Sequence, residues 1–506
     1  MGTDLKSAAI GAGKAILALD QGTTSSRAIV FDQEGRVLAS AQQELRQIYP
    51  QPGWVEHDPE EIWSTQLAMA RQALAASGLV AQEIAAVGVT NQRETILLWD
   101  RESGEALGNA IVWQCRRTAP RCDALREEGW EPRIQEKTGL RLDPYFSASK
   151  LEWLLQETPR ARTLAEQGRL LAGTVDSFLI WRLTGRKAHC TDFSNASRTM
   201  LFNLRTLDWD EELLRLFGVP REILPRPCPS SYPFGHLDPC WLGAALPITG
   251  AAGDQQAALF GQACFQPGEA KNTYGTGCFL LMNTGTVPVP SIHGLLTTVA
   301  WGIGGEVWYA LEGSVFIAGA AVQWLRDGLG LIEQSSQIGG MAEESGDNGG
   351  VYFVPALTGL GAPFWDPYAR GLLIGLTRAT RPTHIARATE EAICCQTRAV
   401  LEAMEEDAGI PLPTLKVDGG ATSDEFLLQL QADLLGVPVE RSCIVESTAW
   451  GAAALAGLEM GLWDLPHLAA LSQAKCTYQP KMTEEEREQI YHQWRRAAQR
   501  SLGWAR

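Results

Sequence analysis

The chain has 506 residues, of which 45% are hydrophobic and 20% charged, and its formal net charge at pH 7 is -16. A chain of this length exceeds the size at which a single hydrophobic core stops growing, so we expect more than one domain. Nucleic acids and anionic membranes attract basic surfaces, so the acidic balance argues against both as partners. A nucleotide stays possible, because backbone N–H groups and a metal ion can hold it.

Cysteine and histidine spacing gives no sign of a metal centre. The 11 cysteines form no C-x-x-C pair and the seven histidines form no metal-binding spacing, so we predict reduced thiols and no structural zinc. Residues 1–14 lack an apolar segment of secretory length, and no stretch approaches the ~20 apolar residues of a membrane span. These features predict a cytoplasmic protein without membrane insertion.

The first half of the chain opens with two apolar runs around a polar turn. Residues 15–19 are apolar, residues 20–26 are polar or glycine, and residues 27–31 are largely apolar again, which predicts a strand, a turn and a strand. Further elements are expected as a strand at 36–45, a helix at 59–77 and a strand at 84–90. Strands followed by helices predict an α/β layer.

The second half repeats this opening. A predicted strand at 270–274 leads through the turn 275–277 into a strand at 278–283. Further elements are expected as strands at 294–301 and 307–312, a helix at 313–328, a surface loop at 342–350 and an exposed charged helix at 483–500. The repeat indicates an ancient duplication, in which two Gly/Thr turns face each other across a cleft.

A composition change near residues 262–268 predicts the boundary between two domains. The apolar stretch around Phe260 gives way there to Gln266-Pro267-Gly268, after which a new strand begins. We therefore expect one domain over residues 1–262 and a second over residues 263–506.

The first turn carries groups that suit a metal-bound phosphate. Asp20 ends the first strand and supplies a carboxylate for a hydrated Mg²⁺. The turn after it offers N–H and hydroxyl groups to phosphate oxygens, from Thr23, Thr24 and Ser25, with Arg27 close behind. An ordinary hairpin, in which Asp and Thr merely favour the turn, is the alternative.

Two further turns share this glycine-rich character. Thr276 lies between Gly275 and Gly277, and the run 418–420, Asp-Gly-Gly, follows a predicted strand. Gly419 and Gly420 let the main chain approach a base or sugar, because neither has a Cβ. Three such turns in one chain predict one nucleotide site, although each alone is a common turn.

Asp254 ends an apolar segment at residues 247–252 and is expected at the cleft. In phosphoryl transfer, such a carboxylate orients the acceptor hydroxyl and takes its proton late. A cap for a helix at 255–261 is an equally good interpretation of Asp254 from local sequence.

A second group of residues suits a polyol. Arg93 and Glu94 place a guanidinium beside a carboxylate, so that a donor fork and an acceptor can hold neighbouring hydroxyls, with Tyr145 as a further polar group. Trp113 could cover the carbon skeleton, or it could simply be a core aromatic. From the residues alone, the prediction is an ATP-dependent kinase for a small polyol.

Eight stretches along nearly the whole chain resemble the FGGY carbohydrate kinases, and most closely those members that phosphorylate glycerol. Together they are far more specific than any one of them. The stretches are ALDQGTTSSR from Ala18, PGWVEHDP from Pro52, TNQRET from Thr90, IVWQCRRTA from Ile111, DPYFS from Asp143, AGDQQAALFGQ from Ala252, NTYGTGC from Asn272 and LTGLGAPFWDPYARG from Leu357.

The resemblance implies two actin-like, ribonuclease H-like domains flanking a cleft that holds ATP and Mg²⁺. It implies phosphorylation of glycerol to sn-glycerol 3-phosphate by a homodimer or homotetramer. By motif, it assigns Thr23, Thr24, Ser25 and Arg27 to the first phosphate turn, Thr276 to the second, Gly319, Gln323 and Gly420 to the nucleotide, and Arg93, Glu94, Tyr145, Asp254 and Gln255 to glycerol, with Asp254 as general base.

The chain departs from the family pattern at two positions. Asp424 stands where members commonly have an asparagine that contacts the nucleotide, so we expect weaker or altered adenosine binding. Ala245 stands where some relatives have an arginine that binds fructose 1,6-bisphosphate as an inhibitor, so we expect insensitivity to that compound.

Two other functions fit parts of the pattern. One is a kinase for a pentulose, erythritol or another polyol, and the other is an actin-like ATP sensor without catalysis. Retention of Asp20, Thr276 and Asp254 argues against the sensor, which would not need an acceptor base. Arg93, Glu94 and Trp113 favour glycerol over larger sugars through the resemblance only.

Overall fold

The computed structural model of the chain describes residues 14–505, so the expectation for residues 1–14 falls outside it except at Lys14. Two large mixed β-sheets, one from each half of the chain, are surrounded by helices. This architecture confirms the predicted α/β fold class. Between residues 14 and 505, none of the helices combines the length and the apolar character that a bilayer crossing requires.

From residue 14 onward, the first half contains fourteen strands and ten α-helices. The strands are β1 (Ala15–Gln21), β2 (Ser25–Asp32), β3 (Val37–Glu44), β4 (Glu56–His57), β5 (Ile84–Asn91), β6 (Ile96–Asp100), β7 (Ala110–Ile111), β8 (Leu170–Thr174), β9 (Cys190–Asp192), β10 (Phe202–Asn203), β11 (Asp208–Trp209), β12 (Arg226–Cys228), β13 (Ser231–His236) and β14 (Pro247–Gly253). The helices are α1 (Pro59–Ser77), α2 (Ala119–Glu127), α3 (Glu131–Thr138), α4 (Ser147–Glu157), α5 (Ala161–Glu166), α6 (Val175–Leu183), α7 (Phe193–Ala196), α8 (Glu211–Leu216), α9 (Pro239–Leu242) and α10 (Asp254–Gly261).

The second half, within the described range, contains nine strands and seven α-helices. The strands are β15 (Ala270–Tyr274), β16 (Cys278–Gly285), β17 (Leu296–Ile303), β18 (Glu306–Val315), β19 (Tyr352–Val354), β20 (Leu372–Ile374), β21 (Leu415–Asp418), β22 (Val439–Ser442) and β23 (Ala474–Tyr478). The helices are α11 (Gly319–Asp327), α12 (Ile338–Ser345), α13 (Pro382–Ala408), α14 (Glu425–Leu435), α15 (Ser447–Glu459), α16 (Leu465–Leu471) and α17 (Glu484–Ser501).

The two large sheets repeat one strand order. The first runs β3-β2-β1-β5-β14-β13 and the second runs β18-β16-β15-β21-β22-β23, with β17 added beside β18. In both sheets an antiparallel hairpin, β1/β2 or β15/β16, continues into two parallel strands and ends on an antiparallel one. This shared topology supports the interpretation of a duplication.

Local signals explain why some elements matched their predicted bounds. Helix α1 begins after Asp58, whose side chain accepts a hydrogen bond from the Glu60 backbone N–H, and Pro59 occupies its first turn. It ends at Gly78, whose φ of 73° lies in the left-handed region that favours glycine. Both ends of the predicted helix at 59–77 are therefore confirmed.

The predicted helix at 313–328 was wrong at its start. Strand β18 continues through Val315, and α11 begins only at Gly319. Gly313 lies inside the strand, where a Cβ would stand 2.4 Å from Cγ1 of Val400 in α13, so the close packing of strand and helix requires glycine. In the sequence, this glycine wrongly indicated the start of a helix.

Two polar segments were also more structured than expected. The predicted loop at 342–350 begins inside α12, which continues to Ser345 before a turn at Gly346 with φ 74°. The predicted exposed helix at 483–500 corresponds to α17, but this helix buries Tyr491 and Trp494 on one face. The first segment was thus partly helical, and the second was a helix as predicted but with one apolar face buried.

Helix α15 belongs to the second half of the chain but packs against the first sheet and α10. A Cβ at Gly451 would stand 1.8 Å from the carbonyl oxygen of Ala257, and a Cβ at Gly88 in β5 would stand 2.2 Å from a carbonyl oxygen of the helix. Trp450 packs edge-on against Phe31 at 5.4 Å between ring centroids. The two halves therefore share a closely packed core.

We expect Gly451→Ala to lower the melting temperature, because the added methyl group meets backbone that cannot move aside. Overpacking of this kind costs about 1–3 kcal/mol. Gly340→Ala is the control: Gly340 is an exposed helical position where an added Cβ meets nothing within 4 Å, so that variant should be neutral or slightly more stable. Thermal unfolding of both variants checks this, and equal melting temperatures would refute the packing argument.

Candidate active site

The candidate site lies where parallel strands of the two sheets end. In the first sheet Thr90 of β5 is in register with Asp20 of β1 and with Ala252 of β14, so the segments that follow these strands emerge at one edge. In the second sheet Thr273 of β15 is in register with Asp418 of β21. The predicted site residues therefore cluster at the two sheet edges.

The first turn connects β1 to β2 and holds the predicted phosphate-contacting residues. The Gly22 backbone N–H donates to the Ser25 carbonyl oxygen over 2.9 Å and closes the turn. The indole N–H of Trp113 donates to the Thr23 hydroxyl over 2.9 Å, so Trp113 touches the turn directly. Thr24 is exposed at the tip. Trp113 is only half-buried and is not a plain core residue.

Asp20 is the residue before the last in β1, beside this turn, and is half-buried. Burial, together with the nearby carboxylates of Asp254 and Glu446, raises the pKa of Asp20 to about 7, although Arg27 opposes the shift. Arg27 forms an ion pair with Glu446, which lies just before α15 in the second half of the chain. No hydrogen bond from another described residue reaches the Asp20 carboxylate, which is therefore available to a ligand or a metal ion.

Arg93 follows β5 and is held by the protein on all sides. Its Nη1 lies 2.5 Å and its Nη2 3.0 Å from the two carboxylate oxygens of Glu312, so the pair is bidentate. Nη2 also donates to the Tyr145 hydroxyl over 3.2 Å, Nη1 to Oε1 of Gln256 over 3.3 Å, and Nε lies 3.3 Å from Oδ1 of Asp254. Arg93 thus joins the predicted polyol residues to strand β18 of the second half.

Glu94 completes this cluster in a strained conformation. Its φ of 34° lies in the region that side-chain-bearing residues rarely adopt, a feature that concentrates at functional sites. Its carboxylate accepts a hydrogen bond from Nε of Arg198 over 2.7 Å, and its carbonyl oxygen accepts one from the Ser147 hydroxyl over 2.8 Å. Burial raises the pKa of Glu94, although Arg93 and Arg198 oppose the shift.

Glu312 is the anionic centre of the cluster and is completely buried. Burial alone would raise its pKa, but the guanidinium groups of Arg198 and Arg93 outweigh it and lower the pKa of Glu312 to about 2. Nη2 of Arg198 donates to Glu312 over 3.0 Å. Two arginines from the first half therefore share one carboxylate from the second, and Glu94 supplies a second negative charge to the cluster.

Asp254 is the first residue of α10, directly after β14. Burial raises the pKa of Asp254, while Arg93 and the backbone N–H of Gln255 lower it. Gly253 occupies the N-cap position of α10, and the Asp254 carboxylate accepts a hydrogen bond from the backbone N–H of Gln255 over 2.7 Å. Asp254 is therefore not the N-cap residue, although its side chain bonds to the first turn of the helix. The carboxylate is 28% exposed and lies beside Arg93.

Lys271 lies in β15 and faces Asp254 from the second half. It is fully buried, its Nζ donates to Oε1 of Gln255 over 2.5 Å, and it donates to the Thr273 hydroxyl over 2.9 Å. Burial lowers the pKa of Lys271 to about 8, against the carboxylates of Asp418, Asp254 and Glu312, while Arg93 adds to the shift. The ammonium thus stands between the polyol residues and the second hairpin.

The second turn connects β15 to β16 and supports the start of α11. The Gly275 N–H donates to the Gly277 carbonyl oxygen over 2.8 Å, and the Thr276 carbonyl oxygen accepts from the Ala318 N–H over 2.9 Å. A Cβ at Gly319 would stand 2.6 Å from the Gly275 carbonyl oxygen, so this contact requires glycine. The predicted nucleotide residues Gly319 and Thr276 thus lie together, with Gln323 exposed one turn along α11.

The third turn follows β21. Gly419 has φ 94°, and a Cβ there would stand 2.2 Å from the Tyr274 carbonyl oxygen, so the turn packs directly on β15. A Cβ at Gly420 would meet nothing within 4 Å, so the space beside this residue is open. A flat group such as a base could lie against the main chain there. One carboxylate oxygen of Asp418 accepts from the Ser447 hydroxyl, and the other is buried without a partner among the described residues.

Asp424 caps helix α14. Its Oδ1 accepts hydrogen bonds from the backbone N–H groups of Phe426 and Leu427 over 3.0 and 3.2 Å. Burial raises its pKa while these N–H groups lower it. The carboxylate at the position of the usual asparagine therefore has a structural partner of its own.

Sequence reasoning missed three site residues that the structure brings together: Glu312, Arg198 and Lys271. Each is fully buried and charged, a combination that is rare unless the group is paired or functional. Glu312 and Lys271 lie in predicted strands, and for Glu312 a single charged residue at the end of an apolar run was the available signal. Arg198 carried no such signal, since it follows a short helix in a polar segment.

Two family models together match most of the chain. The N-terminal domain of the FGGY family of carbohydrate kinases matches residues 15–261, and the C-terminal domain of the same family matches residues 270–460. The glycerol kinase of Symbiobacterium thermophilum is 60% identical over 97% of this chain and 99% of its own length. Glycerol kinase 2 of Thermotoga maritima is 58% identical over the same shares.

Solved structures agree with these sequence relatives. The glycerol kinase of Plasmodium falciparum with ADP has a TM-score of 0.91 and 36% identity, covering 97% of this chain and 99% of that one. The xylulose kinase of Lactobacillus acidophilus has a TM-score of 0.86 and 23% identity, covering 96% of this chain and 97% of that one, which speaks for the fold alone.

We expect Glu312→Gln to destabilise the protein strongly at pH 7, because it removes the carboxylate that the buried guanidinium groups of Arg93 and Arg198 share, and their remaining contacts with Glu94 and Asp254 do not replace it. The loss should be about 3–5 kcal/mol in the free energy of unfolding. Glu306→Gln, at an exposed position of the same strand, should change it by less than about 0.5 kcal/mol. Urea unfolding of both variants measures the difference.

The pH dependence of this contribution follows from the lowered pKa of Glu312. The ion pair contributes fully above the unfolded pKa of about 4.3 and is lost as pH falls toward about 2. The gap in stability between wild type and Glu312→Gln should therefore be smaller at pH 3 than at pH 7. A gap that is constant with pH would contradict an ionised Glu312.

Proposed function

The chain belongs to the FGGY family of carbohydrate kinases, and we propose that it transfers the γ-phosphate of ATP to a terminal hydroxyl of glycerol. The products are ADP and sn-glycerol 3-phosphate. One observation carries the proposal most directly: the Asp254 carboxylate lies 3.3 Å from the Arg93 guanidinium, among buried donors and acceptors that suit a small polyol. The activity shared by the relatives in sequence supports glycerol as the acceptor.

Asp254 is the proposed general base. Burial raises the pKa of Asp254, which makes its carboxylate a better proton acceptor than an exposed one. The glycerol oxygen bonds to the γ-phosphorus as the bond from phosphorus to the ADP oxygen breaks, and the hydroxyl proton passes to Asp254. Glu94 accepts from a second hydroxyl, and Tyr145 and Trp113, whose rings lie 5.4 Å apart, bound the carbon skeleton.

The nucleotide is proposed to lie across the three turns. Thr23, Thr24 and Ser25 offer donors to its phosphates from the first turn, and Thr276 from the second. Gly420 offers an open surface to the adenosine, and Gly319 and Gln323 are proposed as further nucleotide contacts. Arg27 forms an ion pair with Glu446, so we propose two roles for it. It connects the first turn to the start of α15, and it contacts the phosphates.

Asp20 is the residue proposed to hold Mg²⁺. Within residues 14–505, no group of three or more His, Cys, Asp or Glu side chains is arranged around one metal position. Mg²⁺ fits nonetheless, because it is usually bound by one or two carboxylates with waters and substrate phosphates, and Asp20 offers an unpartnered carboxylate beside the phosphate turn. When bound, the ion would neutralise charge on the phosphate oxygens.

Several broader assignments stay proposals. We assign residues 1–262 and 263–506 to two kinase domains, since the repeated sheets fall on either side of that division. A cytoplasmic location fits the use of ATP, and the proposed assembly is a homodimer or homotetramer. Ala245 is exposed and uncharged, in keeping with the expected insensitivity to fructose 1,6-bisphosphate. Asp424 can still weaken adenosine binding, since a carboxylate cannot donate.

An ATP-consumption assay across glycerol, dihydroxyacetone, erythritol and xylulose tests the function. Glycerol should give the highest kcat/KM. A preference for xylulose or erythritol would favour the kinase for a larger polyol, and ATP binding without turnover on any acceptor would favour the sensor.

We expect Asp254→Asn to reduce kcat by ~10²-fold or more, because an amide cannot take the hydroxyl proton. ATP affinity should stay within about twofold of wild type, since Asp254 lies on the acceptor side. Asp123→Asn, at an exposed residue of α2, is the control and should leave both quantities unchanged. Near-normal turnover of Asp254→Asn would remove it from the role of base.

A further inference from the structure

Lys271 occupies a position that stability alone does not explain. Its side chain is completely buried, yet no carboxylate of the described residues lies within 4.0 Å of its ammonium group. Both of its hydrogen-bond partners, Oε1 of Gln255 and the hydroxyl of Thr273, are neutral. Burial of an ammonium without an anionic partner is unfavourable, so a functional reason for this lysine is needed.

The chemistry of the contact fixes how the Gln255 amide is turned. A lysine ammonium only donates hydrogen bonds, so the atom that faces it 2.5 Å away must be the amide oxygen of Gln255. The NH₂ group of Gln255 therefore points away from Lys271. Gln255 is half-buried, and no acceptor among residues 14–505 takes a hydrogen bond from this NH₂ group. It is free to donate beside the Asp254 carboxylate.

The acceptor site needs such a donor. Four hydrogen bonds from Arg93 already go to Glu312, Tyr145 and Gln256, and its Nε lies against Asp254. The guanidinium that the sequence indicated as a polyol donor is thus engaged by protein groups. Glu94 and Asp254 are both acceptors. A hydroxyl oxygen that gives its proton to one of these carboxylates still requires a donor of its own.

We propose that Lys271 is a positioning residue that locks the Gln255 amide, so that its NH₂ group donates to a hydroxyl oxygen of the polyol beside Asp254. The proposal rests on the proposed function and names how the second half of the chain acts on the acceptor. Strand β15, whose other end forms the second Gly/Thr turn, then orders the polyol site directly through Lys271. Lys271 itself touches neither substrate.

Lys416 provides a matched control. It lies on β21 in register with Lys271, and it is held by the Ala263 carbonyl oxygen over 2.8 Å and by Glu269. It makes no contact with Gln255. Lys416 is half-buried and has a carboxylate partner, so Lys416→Met removes a lysine from the neighbouring strand without touching the polyol site.

The test compares Lys271→Met, Gln255→Leu, the double variant and Lys416→Met by steady-state kinetics with glycerol and ATP. Loss of one hydrogen bond should raise KM for glycerol by about 3- to 10-fold in Lys271→Met and in Gln255→Leu, with KM for ATP changed by less than about twofold. Because Lys271 acts through Gln255, the double variant should be no worse than Gln255→Leu. Lys416→Met should keep the wild-type KM for glycerol.

A second variant tests the amide orientation without removing the lysine. Gln255→Glu keeps an oxygen facing Lys271 and replaces only the NH₂ group, so the protein should fold at least as stably while KM for glycerol still rises by about 3- to 10-fold. An unchanged KM for glycerol in Gln255→Glu overturns the proposal. So do effects that multiply in the double variant, or an equal rise in KM for both substrates in Lys271→Met.

Failure of the proposed function would look different. A wild-type protein that does not phosphorylate glycerol refutes the function itself. If the wild-type protein phosphorylates glycerol but Lys271→Met and Gln255→Leu leave KM for glycerol unchanged, only the positioning role is refuted.

Discussion

The buried ion pair between Arg93 and Glu312 is the interaction on which the candidate site depends. Arg93 comes from the loop after β5 and Glu312 from β18, so their pairing joins the two halves of the chain at the polyol cluster. Each charge alone would be strongly unfavourable in this environment, and each becomes acceptable only in the presence of the other. Tyr145 and Asp254 both contact Arg93, so the geometry of the polyol cluster depends on how the two halves of the chain pack together.

The close approach of the halves makes that pairing possible. Helix α15 reaches over from the second half onto β5, and Gly451 and Gly88 allow backbone to meet backbone there. Arg27 adds a second connection through Glu446, just before the same helix. The loop after β5 in the first half and strand β18 in the second can thus hold Arg93 and Glu312 at hydrogen-bond distance. Small residues in α15 therefore support the Arg93–Glu312 pair by allowing the two halves to approach closely.

Local sequence predicted the elements whose signals are local. Helix α1 was bounded by Asp58 and Gly78, and the hairpins around both Gly/Thr turns followed from apolar runs broken by glycine and threonine. What local sequence could not supply was the partner of a charge, because Glu312 meets Arg93 across 219 positions of chain. For the same reason Arg93 looked like a free donor for a polyol, while the structure shows its donors engaged.

The duplicated sheets divide the chemistry unequally. At the edge of the first sheet the central strand β1 ends in the carboxylate of Asp20, and its parallel neighbour carries Thr90 in register. At the edge of the second sheet the central strand carries Thr273, and its parallel neighbour ends in the carboxylate of Asp418. The two hairpins thus present the same pair of groups in exchanged positions. A carboxylate beside the first turn suits a metal ion at the phosphates, whereas the threonine at that place in the second sheet accepts a hydrogen bond from Lys271, which also donates to Gln255. One topology, used twice, therefore places a carboxylate on the central strand of the first sheet and an ammonium on the central strand of the second.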